Sequence, residues 1–167
     1  EVSVELIKIG VVGLGTMGWG MVEVIARAGY SVIGVDLGEK GTSYADLRIA
    51  NSIDRGVAGS KITESQGQAI LSRIELTTDL TELASCQLVI EAITEDLQAK
   101  SELFAGLDSI LGPDAIMATN TSALSVTEIS VVTSRPSRVI VLHFFNPALV
   151  QQFVEIVGTV TTDQEVI

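Results

Sequence analysis

One cysteine, one histidine and three prolines are all that this 167-residue chain holds of those types, and its bases are few. The lone Cys86 has no partner for an internal disulfide, so a disulfide scaffold is excluded and a soluble protein of a reducing, cytoplasmic compartment is expected. Lys and Arg number 10 against 21 Asp and Glu, a formal charge of −11. The basic footprint that nucleic acid or an anionic membrane requires is therefore missing. No stretch approaches the roughly 18 uninterrupted apolar residues of a spanning helix. One His, one Cys and scattered acids offer no ligand cluster, so no metal site is expected. Internal repeats, low-complexity segments and linkers are also missing, since Pro113, Pro136 and Pro147 each punctuate a single turn.

What is present suits one globular unit, residues 1–167, with 47% hydrophobic content for its core. The N-terminal EVSVELIKIG has acids where a secretory signal carries bases and no initial Met, which fits a processed or excised chain. At the other end, Thr162 to Glu165 has the spacing of a capping box, so a helix is expected to open there and run on past Ile167.

Short β-branched runs alternate with stretches of helical period, the pattern of βαβ units and a mostly parallel, doubly wound α/β sheet. The strand candidates are Ile7–Val12, Ser31–Asp36, Leu88–Glu91, Ala115–Thr119, Arg138–His143 and Phe153–Val157. Met17–Ala28 places Met17, Met21, Val24, Ile25 and Ala28 three or four apart and meets Gly29, suited to a left-handed C-cap. Tyr44–Gly59 and Glu64–Arg73, joined by the polar Ser60–Thr63, read as a helical hairpin inserted after the second strand.

The loop Gly13-Leu14-Gly15-Thr16-Met17-Gly18 follows the first strand and leads into the first helix, the context that makes a glycine motif a dinucleotide fingerprint. Gly13 permits the tight turn, Gly15 lets backbone approach a pyrophosphate, and Gly18 allows close helix–strand packing with the helix N-terminus facing the phosphates. Asp36 ends the second strand, where an acid binds the adenosine ribose hydroxyls and repels a 2′-phosphate, so NAD is favoured over NADP. The bland reading of these residues is a glycine turn plus a surface aspartate.

The only histidine, His143, lies in the apolar run LHFFNPALVQQFVEIV, with Glu155 downstream. A general base held by an acid would use such a pair, while a hydrogen-bonded structural histidine beside an exposed strand glutamate is the plain alternative. Ser122 as an esterase nucleophile fails, because TNTSAL lacks the glycines of a nucleophile elbow.

Three motifs in order then decide the family. Ile90–Phe104 (IEAITEDLQAKSELF), Ala118–Ser125 (ATNTSALS) and Leu142–Ala148 (LHFFNPA) resemble those of the NAD-binding domain of L-3-hydroxyacyl-CoA dehydrogenases, and the hairpin resembles that family's as well. The resemblance implies NAD as cofactor, a 3-hydroxyacyl thioester as substrate and a place in fatty acid metabolism. It implies that His143 removes the 3-hydroxyl proton, that Glu155 fixes the imidazole tautomer, and that Ser122 and Asn146 stabilise the substrate 3-oxygen. By the same likeness Glu95 and Lys100 stand near the nicotinamide and its ribose, Asn120 stands beside the cofactor, and Ser52 contacts the CoA portion. The family also carries a C-terminal helical domain, for substrate cover and dimerisation, which this chain does not contain. The hairpin lysine of some members is replaced around Gly59, and a charge of −11 disfavours polyanionic CoA, so a carrier-protein thioester stays open. Two further readings stay open: a small free β-hydroxy acid as substrate, and a cofactor-binding module of a larger multienzyme that does no chemistry alone.

Overall fold

The computed structural model describes residues 7–151 and 153–167, so the acidic first six residues noted above lie outside it. Among the described residues the chain forms β1 (Lys8–Val12), α1 (Gly18–Arg27), β2 (Ser31–Val35), α2 (Glu39–Ala58), α3 (Glu64–Leu71) and β3 (Ile74–Thr77). It continues through β4 (Leu88–Glu91), α4 (Leu97–Ile110), β5 (Ile116–Thr119), α5 (Val126–Ser130), β6 (Val139–Phe144) and β7 (Val154–Gly158).

The strands are short because each crosses the sheet once between layers of helix, and they are apolar because both faces are covered. Successive side chains point to opposite faces. Ile9 and Val11 of β1 accordingly join a core with Met21, Val22 and Ile25 of α1 and Ile49 and Ile53 of α2. Val12 points the other way, into a core with Phe104 and Leu107 of α4 and Ile129 of α5. Each such side chain removed from water contributes about 1.5–3 kcal/mol before chain entropy is subtracted.

The sheet order is β3-β2-β1-β4-β5-β6-β7. The first six strands pair in parallel and β7 pairs antiparallel with β6. From β1 the chain winds outward through β2 to β3, then crosses back to β4 on the other side of β1. The crossovers leave the sheet in opposite directions there, which opens a crevice beyond the carboxyl ends of β1 and β4.

The doubly wound sheet and inserted hairpin match expectation, with differences at boundaries. α2 begins at Glu39 rather than Tyr44. β3 was not expected, because as the edge strand it is only half-buried, with Glu75 exposed, and lacks an apolar run. Gly29 has the left-handed conformation foreseen, φ +99°, and Tyr30 N–H donates to Ile25 at 3.3 Å to close α1.

The capping-box signature is realised at a different place from the one expected. Thr63 Oγ1 accepts from Gln66 N at 3.1 Å while Gln66 Oε1 accepts from Thr63 N at 2.8 Å, opening α3. Thr162 Oγ1 instead accepts from Thr159 N and donates to the Val139 carbonyl at 3.1 Å, and only a 3-10 turn, Gln164–Val166, follows.

Candidate active site

The glycine loop closes over the end of β1. Gly13 has φ +93°, and a Cβ there would sit 2.7 Å from the Ala92 carbonyl, so the turn fits against the end of β4 only without a side chain. A Cβ on Gly18 would lie 1.7 Å from the Gly13 carbonyl, which is how closely α1 packs on the loop. Gly15 has open space around it and Gly18 lies behind the loop, so Gly15 backbone is free to meet a ligand. No side chain caps α1, and although Trp19 N–H donates to the Gly15 carbonyl at 3.4 Å, the N–H groups of Gly18 and Gly20 are left to an anion.

Leu14 contributes backbone, not surface: its side chain is buried in the core, and its N–H donates to Asp36 Oδ2 at 3.0 Å. Asp36 Oδ1 also accepts from Gly38 N at 3.3 Å. The carboxylate is thereby held at the end of β2 against the glycine loop. Gly13, Gly15, Thr16, Met17 and Asp36 all line one cleft of about 1000 Å³, a volume suited to a dinucleotide.

The other half of that cleft is built from β4, β5 and β6. Lys100, on the first turns of α4, is not the solvated helix residue its sequence context suggests. It is 1% exposed, and its Nζ lies 2.5 Å from Glu91 Oε1 and 3.4 Å from Glu95 Oε2. Burial would raise the Glu95 carboxyl, but hydrogen bonding from Thr121 and the Lys100 charge outweigh it, and the carboxyl ends below its usual range. Asn120 Oδ1 accepts from Phe144 N at 2.7 Å, tying the turn after β5 to the end of β6. Ser122 follows in that turn and also lines the cleft.

His143 and Glu155 are direct partners across the antiparallel β6–β7 ladder, which is why twelve residues separate them in sequence and almost nothing separates them in space. Nδ1 lies 3.0 Å from Glu155 Oε2. A carboxylate can only accept, so Nδ1 carries a proton, and in the neutral ring Nε2 keeps a lone pair. The Phe145 ring sits 4.5 Å from the imidazole, and Phe153 stacks behind it at 5.4 Å. Phe145 thus supplies one apolar wall, while the pair itself is partly open, at 22% and 49% side-chain exposure. Asn146 lines the cleft beside His143.

One expected residue is not brought here. Ser52 lies on α2 facing α1, where its hydroxyl donates to the buried Glu23 at 2.9 Å instead of lining the cleft. Residues the motifs did not flag are Glu91, Thr119 and Thr121, all buried at the strand ends; the only hint was an acid closing the apolar strand LVIE. Among the described residues no group of three His, Cys, Asp or Glu could hold a metal ion, and no helix is long and apolar enough to cross a membrane.

Residues 8–167 match the family described as 3-hydroxyacyl-CoA dehydrogenase, NAD binding domain. The chain is 44% identical over 158 residues to a 3-hydroxybutyryl-CoA dehydrogenase of Mycobacterium tuberculosis, covering 94% of this chain and 55% of that protein. Its structure is similar to that of FadB2 of M. tuberculosis, with a TM-score of 0.94 at 42% identity over 98% of this chain and 57% of the other. It is also similar to a 3-hydroxybutyryl-CoA dehydrogenase of Escherichia coli, with a TM-score of 0.95 at 37% identity over 98% of this chain and 34% of the other. The chain thus spans about half the length, or less, of these relatives. The open backbone at Gly15, the uncapped start of α1 and the carboxylate of Asp36 held beside the glycine loop fit the cofactor that this match implies. This chain belongs to the 3-hydroxyacyl-CoA dehydrogenase family, as an NAD-binding domain.

Proposed function

We propose that the protein containing this chain interconverts an L-3-hydroxyacyl thioester and its 3-oxo form. The observation that carries the reading is the His143–Glu155 pair, 3.0 Å apart, at the rim of the cleft that the glycine loop and Asp36 mark for a dinucleotide. NAD, when bound, supplies the hydride acceptor for the substrate carbon. His143 Nε2 takes the proton of the 3-hydroxyl, and Glu155 stabilises the imidazolium that forms. Ser122 and Asn146 donate hydrogen bonds to the 3-oxygen as charge grows on it in the reverse direction. Asp36 accepts from the adenosine ribose hydroxyls, while Glu95, Lys100 and Asn120 flank the nicotinamide end.

Residues 1–167 form one cofactor-binding unit in this proposal, and cover for the acyl chain, dimer contacts and most of the thioester handle come from outside it. Ser52, turned toward Glu23, gives little hold on CoA in this arrangement, so either CoA or a carrier protein can present the thioester. The lone, buried Cys86 fits a reducing cytoplasm, its thiol pushed up by burial to about 11 and therefore unreactive.

The test is substrate class. In the active protein, NADH is expected to be consumed with a 3-oxoacyl thioester such as acetoacetyl-CoA and not with a small free 3-oxo acid. Equal or greater activity on the free acid overturns the thioester assignment. The coverage of relatives favours one second reading, a cofactor module that is inactive alone. If the isolated chain turns over as fast as the complete protein, that reading fails.

A further inference from the structure

Five side chains at the nicotinamide end form a closed circuit. Glu91 Oε1 accepts from Lys100 Nζ at 2.5 Å, and Lys100 Nζ also reaches Glu95 Oε2 at 3.4 Å. Glu95 Oε1 accepts from the Thr121 hydroxyl. Thr121 N–H donates to Thr119 Oγ1 at 3.3 Å, and the Thr119 hydroxyl donates to Glu91 Oε2 at 2.7 Å, which closes the ring. Glu91 Oε1 also accepts from Ile93 N at 2.7 Å, holding the backbone against which the Gly13 turn packs. Glu91 itself is 0% exposed.

A buried ion pair of this kind is a poor device for stability, because desolvation of both charges offsets most of their attraction. Its value here lies in geometry. The ring ties the ends of β4 and β5 to α4, and Thr121 Oγ1 accepts in addition from Leu124 N at 3.0 Å, bracketing Ser122. The same turn is fastened to β6 through Asn120 and Phe144. One carboxylate thus sits at the root of every element that presents Glu95, Lys100 and Ser122 to the cleft.

We propose that Glu91 is the positioning residue of the nicotinamide end: by clamping Lys100 and Thr119 it fixes Glu95 and the Asn120–Ser122 turn relative to His143. The inference rests on the NAD reading of the cleft and deepens it. Glu91 touches neither cofactor nor substrate and acts only through its neighbours.

The experiment measures NADH and ADP-ribose affinity by calorimetry, with a thermal melt, for the parent chain, Glu91→Gln, and Thr119→Val. Glutamine keeps the shape but removes the charge that neutralises Lys100. Thr119→Val removes the hydroxyl that donates to Glu91 Oε2, leaves every residue assigned to the cofactor in place, and so keeps the test open if Glu91→Gln unfolds. Both variants are expected to bind NADH roughly tenfold more weakly, a loss of one charge-assisted contact's size. Both are expected to hold ADP-ribose within about twofold, because the ring reaches only the nicotinamide half. Unchanged NADH affinity overturns the proposal, as does an equal loss for both ligands, which would mark general damage. A parent that binds neither ligand overturns the cofactor reading first, and this proposal with it.

Discussion

With Nδ1 of His143 committed to Glu155, the remaining nitrogen is the only imidazole nitrogen left over in the cleft, whose one lysine is paired with Glu91. In the proposed reading Asp36 carries selectivity at the opposite end. Asp36→Ala is expected to weaken NADH binding by about 1.5–3 kcal/mol, the cost of hydrogen bonds to a charged acceptor, and to narrow the preference over NADPH; equal titrations of both cofactors before and after the change check it. These two residues were legible in the sequence because each sits in a local pattern: an acid ending the second strand, a histidine in a motif. Glu91 was not, and Lys100 was named only through the family likeness, without its burial or its ion pair. Their meaning depends on Thr119, 28 residues from Glu91, and on a lysine whose helix reads as ordinary until its first turns are packed against β4.

Among the elements, α4 shows how a helix end is finished without a left-handed glycine. The Arg135 guanidinium donates to the Asp108 carbonyl at 2.8 Å and to the Leu111 carbonyl at 3.4 Å, placing a cation on the free carbonyls of the C-terminus. Its Nε also bonds Asp108 Oδ1 at 2.7 Å. Burial pushes the Asp108 carboxyl up, but hydrogen bonds from Ser134 and the Arg135 charge together overcome this and leave it below its ordinary 3.8. A carboxyl lowered on folding stabilises above its ordinary pKa and loses that contribution as pH falls through the folded value. Asp108→Asn is therefore expected to lower stability by about 1–3 kcal/mol at pH 7, with the gap to the parent closing only in acid below the carboxyl's ordinary 3.8; urea melts at pH 7 and in acid check it. At α3, Thr63→Ala removes one half of the capping box and is expected to cost about 1 kcal/mol, or a melting shift of roughly 2–4 °C for a chain of this size. Element type was readable wherever an apolar period ran uninterrupted, as in α1 and β4. It failed at β3, an edge strand with one face in water, and at Thr162, whose hydroxyl is drawn to β6 by a contact no local pattern records.

At the scale of the molecule, an acidic chain of charge −11 receives an anionic cofactor. Local donors at the glycine loop and the start of α1 make this possible, while the long-range field opposes it. Raising ionic strength from about 0.01 to 0.1 M contracts the screening length from roughly 30 to 10 Å, so NADH binding is expected to tighten by about twofold; weakening with salt would show that the local positive ends dominate. The order of the motifs made the doubly wound sheet readable, because strand, glycine loop and helix follow one another with nothing between. The pairing of His143 with Glu155 was readable from the family motif, but the antiparallel return of β7 on β6 that produces it was not. That pairing is the centre of the account, and replacing His143 with Gln in the active protein tests it most directly, with NADH consumption on acetoacetyl-CoA and NADH affinity measured side by side. The account predicts turnover lower by about 10²–10⁴-fold with NADH affinity within about twofold, since the imidazole serves the substrate proton and not the dinucleotide. Turnover retained at the parent's rate would contradict it.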